Sequence, residues 1–115
     1  MPKTDRSRLK EHYFENDVIE NLHQIEEGLT LVRRQLVTEY GRIDILCADR
    51  NVLPLELELK ASTGEISAVD QITRYITIIQ EHTTLDTRGI VVIQEKNSDL
   101  ADACLRRNVG IHIWS

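Results

Sequence analysis

A strict alternation near the middle of the chain constrains the fold more than any other feature of the sequence. Residues 53–60 read LPLELELK, with leucine at every second position. Successive side chains of a β-strand point to opposite faces of a sheet, so the four leucines share one face and Glu56, Glu58 and Lys60 share the other. The segment is therefore predicted to be a strand with its leucine face in the core.

The chain before this strand has one helical pattern followed by strand patterns. Apolar residues recur at helical spacing over residues 8–27, and Gly28 stands where a helix would end. Three strands are then predicted, the last two joined by a turn at the Asp-Arg-Asn tripeptide. They cover residues 29–40, 42–48 and 52–61.

The chain after it alternates between helices and strands. Ser67 followed by Asp70 is a capping-box pattern that predicts the start of a second helix, with a core stripe at Val69, Ile72, Ile76 and Ile79. RGIVVIQ is expected to be a strand, NSDLADACLRRN a capped helix and VGIHIW a last strand. The order αβββαβαβ predicts an α/β fold with a mixed sheet of about five strands, antiparallel at first and parallel after the crossover, flanked by helices.

Length and composition limit the class of protein. The 115 residues fit a single domain spanning 1–115, and 41% hydrophobic with 29% charged residues is typical of a globular protein. No apolar run approaches the ~20 residues of a membrane helix, and no secretory signal opens the chain, so the cytoplasm is expected. Cys47 and Cys104 are isolated and are expected to be reduced and buried.

The overall charge argues against a nucleic-acid binder, while its distribution leaves the question open. The net charge is −5, whereas affinity for phosphate backbones comes mainly from lysine and arginine. Basic residues cluster in the first ten positions and in the pairs Arg33–Arg34 and Arg106–Arg107. These pairs are interpreted as solvated surface, with phosphate contact as the alternative.

Acidic residues on two adjacent predicted strands indicate a possible cation site. Neighbours two apart on one strand face lie about 6.5 to 7 Å from each other, so Glu58 and Lys60 can act on one ligand. If the turn pairs the strands antiparallel, Asp44 lies near the level of Glu56 and Glu58. Two carboxylates at that distance repel each other unless a cation lies between them, and magnesium or manganese prefers such oxygen ligands. The alternative is that Glu58 and Lys60 form a solvent-exposed ion pair.

Four segments together resemble a known family. GRIDIL, ELELK, AVDQITRY and FENDVIENLHQIEEGL are similar to segments of the PD-(D/E)XK nuclease superfamily with its restriction-endonuclease-like core. Within it, the chain resembles the C-terminal nuclease domain of the NucS/EndoMS mismatch endonucleases, over about Phe14 to Ile113. The resemblance covers the nuclease domain only, so it does not imply a preference for mismatches.

The resemblance implies roles for individual residues. Asp44 and Glu58 match the metal-binding carboxylates, Lys60 the active-site lysine and Glu15 an acid on the first helix. Gln71 matches an accessory glutamine on the following helix, and Arg74 and Tyr75 lie in the same matching segment. Glu56 departs from the family, where this position is usually aliphatic, and we predict that it is exposed or in a subunit contact and not a ligand.

The function implied is hydrolysis of phosphodiester bonds in DNA. The resemblance implies an endonuclease of the repair, recombination or restriction type that depends on Mg²⁺ or Mn²⁺. A homodimer is expected because one small active site needs a second copy to cut a duplex, and no membrane partner is expected. The alternative is a non-catalytic module that keeps the nuclease fold for nucleic-acid binding or protein assembly.

Overall fold

The computed structural model describes residues 3–60 and 66–114, with the backbone alone for residues 3–11. Within these residues the helices and strands follow the predicted order αβββαβαβ. They are α1 (Lys3–Glu20), β1 (Thr30–Thr38), β2 (Gly41–Ala48), β3 (Pro54–Lys60), α2 (Ser67–Thr83), β4 (Arg88–Ile93), α3 (Ser98–Arg106) and β5 (Gly110–Ile113), with a 3-10 turn at Leu22–Gln24 between α1 and β1.

The five strands form one mixed sheet in the order β1-β2-β3-β4-β5. β1, β2 and β3 are joined by short turns and pair antiparallel. β4 pairs parallel with β3, and β5 pairs parallel with β4. In each case a helix, α2 or α3, returns the chain to the end of the sheet at which the preceding strand began. The predicted α/β fold and strand directions are confirmed.

The turn between β2 and β3 fixes their register. Asp49 Oδ1 accepts hydrogen bonds from the backbone N–H groups of Asn51 at 2.8 Å and Leu53 at 3.0 Å. An aspartate that binds the backbone two residues ahead is a standard way to close a short turn. Its other oxygen, Oδ2, accepts from Arg88 at 3.1 Å, which attaches the turn to the start of β4. The predicted Asp-Arg-Asn turn is confirmed.

The first helix ends earlier than the sequence pattern indicates. It was expected to continue to Glu27, but α1 ends at Glu20. The Asn21 side-chain amide donates to the backbone carbonyl of Asp17 at 2.8 Å, and Asn21 itself leaves the helical conformation. Asparagine competes with the backbone for hydrogen bonds in this way, which explains why it ends the helix. Gly28, with φ +91, closes the segment that follows.

The second helix begins at the predicted residue but without the predicted cap. Ser67 is the first residue of α2, and Ile66 is the residue that precedes the helix, so Ser67 is not the N-cap of a capping box. The core stripe is confirmed, since Val69, Ile72 and Ile79 are buried.

Apolar side chains cover both faces of the sheet. One cluster joins α1 to the leucine face of β3, where Leu55 and Leu57 are fully buried. A second joins α2 and α3 to β4 and contains Cys104, while Cys47 belongs to the first cluster, and both cysteines are free and buried as predicted. Among the described residues, no helix is both long and apolar enough to span a membrane.

Candidate functional site

Asp44 and Glu58 lie side by side on adjacent strands. The paired residues of β2 and β3 end at Ile45↔Leu57, and one further step places Asp44 opposite Glu58 on the same face of the sheet. The backbone N–H of Leu59 donates to Asp44 Oδ2 at 2.9 Å. A side-chain oxygen therefore accepts a strand N–H at the point where backbone pairing ends, and this bond holds the carboxylate in place.

Burial makes this pair difficult to ionise. Desolvation, and then repulsion from Asp44, raise the pKa of Glu58 to about 8, although attraction from Lys60 opposes the shift. Desolvation also raises the pKa of Asp44, against the hydrogen bond from Leu59 and the charge of Lys60. A hydrogen bond between the two carboxyl groups favours the protonated form of Glu58 and the ionised form of Asp44. The pair therefore binds a proton more tightly than a solvent-exposed carboxyl group does.

Lys60 supplies a cation at the more open end of the site. Its Nζ lies 3.9 Å from Glu58 Oε1, and its side chain is 34% exposed whereas that of Glu58 is 3% exposed. A solvent-exposed ion pair is therefore the wrong description of these two residues. The buried carboxyl group faces an ammonium group that can still reach a ligand from solvent.

Glu56 is a third carboxyl group on this face, and the prediction that it is exposed or in a subunit contact is wrong. It is fully buried, and neither of its oxygens has a hydrogen-bond partner among the described residues. Its neighbours across the sheet are Leu46 and Gly89. A Cβ on Gly89 would lie 2.8 Å from side-chain atoms of Ile72 and Ile76, so α2 packs closely over this row. Desolvation, with repulsion from the other two carboxylates, raises the pKa of Glu56 to about 9.

Glu15 reaches the same region from α1. It is buried, and its charge is among those that raise the pKa of Asp44. Its Oε2 accepts from Arg34 Nη2 at 2.7 Å, and its Oε1 accepts from Gln35 Nε2 at 2.6 Å. Arg34 also donates to Asn16 Oδ1 at 3.0 Å. Both oxygens of Glu15 therefore already accept hydrogen bonds from β1.

Gln71 lies on the helix that covers the site. It is half-buried, and its side-chain amide donates to the hydroxyl of Tyr75 at 3.3 Å. Tyr75 is buried, and a Cβ on Gly41 would collide with its hydroxyl group, so this part of α2 packs against the start of β2. Arg74 is exposed. The structure thus brings Gln71 to the end of β2 that precedes Asp44.

A divalent cation fits the carboxyl pair. Asp44 and Glu58 present hard oxygen donors, and Glu58 Oε2 is buried without a partner among the described residues. A dication would offset the repulsion that raises both pKa values. In the part of the chain that the structure describes, no three His, Cys, Asp or Glu side chains converge on one possible metal position. Magnesium suits such a site, because it is often bound by one or two carboxylates and retains several waters.

Two residues of β1 that contact the site were not assigned to it from the sequence. Arg34 was interpreted as solvated surface, whereas it forms an ion pair with Glu15. Gln35 was not considered, although it binds the same carboxylate. No spacing rule connects a helix residue with a strand residue 19 or 20 positions further along the chain, so no local signal could have shown either contact.

Comparison with known proteins identifies relatives over most of the chain. The family described as the Endonuclease NucS C-terminal domain matches residues 10–112. The chain is 30% identical to endonuclease NucS of Streptomyces coelicolor over 104 residues, which are 90% of this chain and 46% of that protein. It is 36% identical to endonuclease NucS of Mycobacteroides abscessus over 86 residues, which are 74% of this chain and 37% of that protein. The chain thus spans less than half the length of these relatives.

Solved structures share the fold. A repair endonuclease from Pyrococcus abyssi matches with a TM-score of 0.83 and 25% identity, over 91% of this chain and 46% of that one. A structure of EndoMS in complex with double-stranded DNA matches with the same TM-score and identity, over 91% of this chain and 44% of that one. The matched sequence and the shared α/β fold lead to one conclusion: the chain belongs to the family of the endonuclease NucS C-terminal domain.

Proposed function

We propose that this domain is a metal-dependent endonuclease that hydrolyses phosphodiester bonds in DNA, of the repair type. The observation that carries the proposal is the pairing of the half-buried Asp44 with the buried Glu58, with Lys60 beside them, in a chain of this family. The names of the relatives support the activity, and a related protein described in complex with double-stranded DNA supports the substrate.

Asp44 and Glu58 are the residues that would hold Mg²⁺ or Mn²⁺. When bound, the ion supplies a Lewis acid at the phosphoryl group. Because the pKa values of both carboxyl groups are raised, the ion would compete with protons for this pair. Leu59 N–H fixes one oxygen of Asp44, so the ligand geometry is set before the ion arrives.

The remaining residues act on the substrate. The Lys60 ammonium group, partly open to solvent, stabilises negative charge as it grows on the phosphoryl oxygens. Gln71 lies in the second turn of α2, and its half-buried side-chain amide is the group that would donate to a phosphate oxygen. Glu15 stays in the outer sphere of the ion, since both of its oxygens are bound by β1.

We further propose that the active form is a homodimer and that it acts in the cytoplasm. One site of this size cuts one strand, so a double-strand cut needs two copies. Sedimentation of the protein with and without a duplex tests the assembly.

The second candidate function is a non-catalytic module that keeps this fold for nucleic-acid binding or assembly. The net charge of −5 favours the assembly role within it, because a protein that binds DNA by itself usually carries a basic surface.

One experiment separates the two functions. The protein is incubated with plasmid, linear and branched DNA in Mg²⁺ or Mn²⁺, beside the variants Asp44→Ala and Lys60→Ala. Asp86→Ala and Lys96→Ala, at exposed positions, serve as matched controls for the loss of each charge. Cleavage by the wild type and both controls, with loss in both site variants, supports the nuclease. Equal cleavage by all five proteins indicates a contaminant, and no cleavage with either metal favours the binding module.

A further inference from the structure

Gln35 has a backbone conformation that is unusual for a strand residue. Its φ is +52, in the left-handed region that L-residues other than glycine rarely adopt. The other non-glycine residues with positive φ in the described part of the chain are Val52, Thr84 and Asn108, which lie outside the strands. Gln35 is thus the one described non-glycine residue that takes this conformation inside a strand.

Its position in the sheet is next to the candidate metal ligands. The pairs Arg34↔Ile45 and Leu36↔Ile43 lie on either side of it, which places Gln35 at the level of Asp44. Non-glycine residues in the left-handed region cluster at functional sites, where the surrounding structure keeps them strained. This strain is therefore located one strand away from the carboxyl pair.

The left-handed residue lets two consecutive side chains reach one target. In a regular strand, adjacent side chains point to opposite faces, so Arg34 and Gln35 could not both contact the same carboxylate. Here Arg34 Nη2 lies 2.7 Å from Glu15 Oε2, and Gln35 Nε2 lies 2.6 Å from Glu15 Oε1. The irregular backbone at Gln35 therefore allows both side chains to donate hydrogen bonds to the Glu15 carboxylate.

We propose that Gln35 is a positioning residue that holds the Glu15 carboxylate beside Asp44 for the binding of a divalent cation. The inference rests on the proposed function, because it concerns the same metal site. A carboxylate that neighbouring side chains already hold in place loses little conformational entropy when an ion binds nearby. A mobile carboxylate must be ordered at that step, which reduces the affinity for the ion. Loss of the hydrogen bond from Gln35 to Glu15 is therefore expected to weaken metal binding while the fold is retained.

Two substitutions remove the amide contact without adding backbone strain. Gln35→Asn keeps an amide and suits the left-handed conformation, but its side chain is one methylene shorter and cannot reach Glu15. Gln35→Gly relieves the strain and removes the amide. Val52→Gly is the matched control, because Val52 has φ +61 at an exposed position in the β2–β3 turn.

The measurements are the dissociation constant for Mn²⁺ without DNA, by calorimetry, and the Tm in a chelator. Gln35→Asn and Gln35→Gly are expected to bind Mn²⁺ about tenfold more weakly than the wild type, with Tm values close to it. Val52→Gly is expected to bind Mn²⁺ as the wild type does. In a Glu15→Gln background, Gln35→Asn is expected to cause no further weakening, because the two residues act through one contact.

Each contrary result has a definite meaning. The inference is overturned if Gln35→Asn binds Mn²⁺ as tightly as the wild type, or if its effect adds in full to that of Glu15→Gln. A wild type that binds Mn²⁺ but cuts no DNA overturns the proposed function. The positioning role of Gln35 is then decided by the Mn²⁺ affinities of the variants alone. A wild type that binds no Mn²⁺ overturns both.

Discussion

Glu56 gives the sharpest prediction, because burying an acid without a partner makes stability depend on pH. Its pKa is about 9, against an ordinary value of 4.5. The folded state therefore binds this proton more tightly than the unfolded state. The stability it contributes is fully present below the unfolded pKa and is lost as the pH rises toward the folded pKa.

The size of the effect follows from the shift. Each pH unit between the two pKa values costs about 1.4 kcal/mol of unfolding free energy. Between about pH 5 and about pH 8 the loss from this one group is about 4 kcal/mol, after allowing for partial ionisation of the unfolded chain at the lower pH. The conversion applies without a large solvent correction because Glu56 is fully buried.

Glu56→Gln tests this directly, because glutamine has nearly the shape of the protonated acid and does not ionise. The free energy of unfolding is measured by urea denaturation in a chelator at both pH values. The variant is expected to gain about 4 kcal/mol relative to the wild type on going from the lower to the higher pH. Glu81→Gln, at an exposed helix position, is the control and should change little. Parallel pH profiles for the wild type and Glu56→Gln would refute the reasoning.

Three further predictions concern the metal, the contact between Trp114 and Asp17, and the packing of α2 against Gly41. Because the pKa of Glu58 is about 8, Mn²⁺ must displace its proton. The Mn²⁺ affinity, measured by calorimetry, is therefore expected to rise by up to about tenfold per pH unit between about pH 6 and about pH 8. An affinity that does not change with pH would contradict this. Trp114→Phe removes the indole N–H that donates to Asp17 Oδ2 at 2.7 Å, and should cost about 1 to 2 kcal/mol in urea denaturation; an unchanged midpoint would be the opposing result. Gly41 has a φ of +133, and Gly41→Ala places a methyl group against the Tyr75 hydroxyl. The free energy of unfolding is therefore expected to fall by at least about 2 kcal/mol. Wild-type stability in this variant would show that α2 can move to accommodate the methyl group.

The local patterns of the sequence determined most of the secondary structure. The leucine alternation of β3 predicted a strand with one face in the core, and Leu55 and Leu57 are fully buried there. Asn97 was part of a segment predicted to be a capped helix, and its side chain accepts from Leu100 N at 3.1 Å. These features depend on residues that are close in the sequence, so a single chain shows them directly.

The placement of Asp44 opposite Glu58 was also accessible from the sequence. The Asp-Arg-Asn turn and the period of two along each strand are enough to bring the two carboxylates to one face. The prediction went wrong where long-range packing decides. Glu56 was expected to be exposed or in a subunit contact, but it is buried. Its neighbour on β4 is Gly89, which has no side chain and so lets α2 pack closely over both residues. The local sequence does not show that β4 lies beside Glu56.

The tertiary structure alone decided the environment of the acids. Glu15 looks like any polar residue on a helix, and its partners Arg34 and Gln35 come within hydrogen-bond distance only in the folded chain. The left-handed backbone of Gln35 has no sequence signal, because glutamine does not favour it and the surrounding contacts impose it. Composition and periodicity state which residue types share a face, whereas desolvation and pKa depend on which distant groups cover that face.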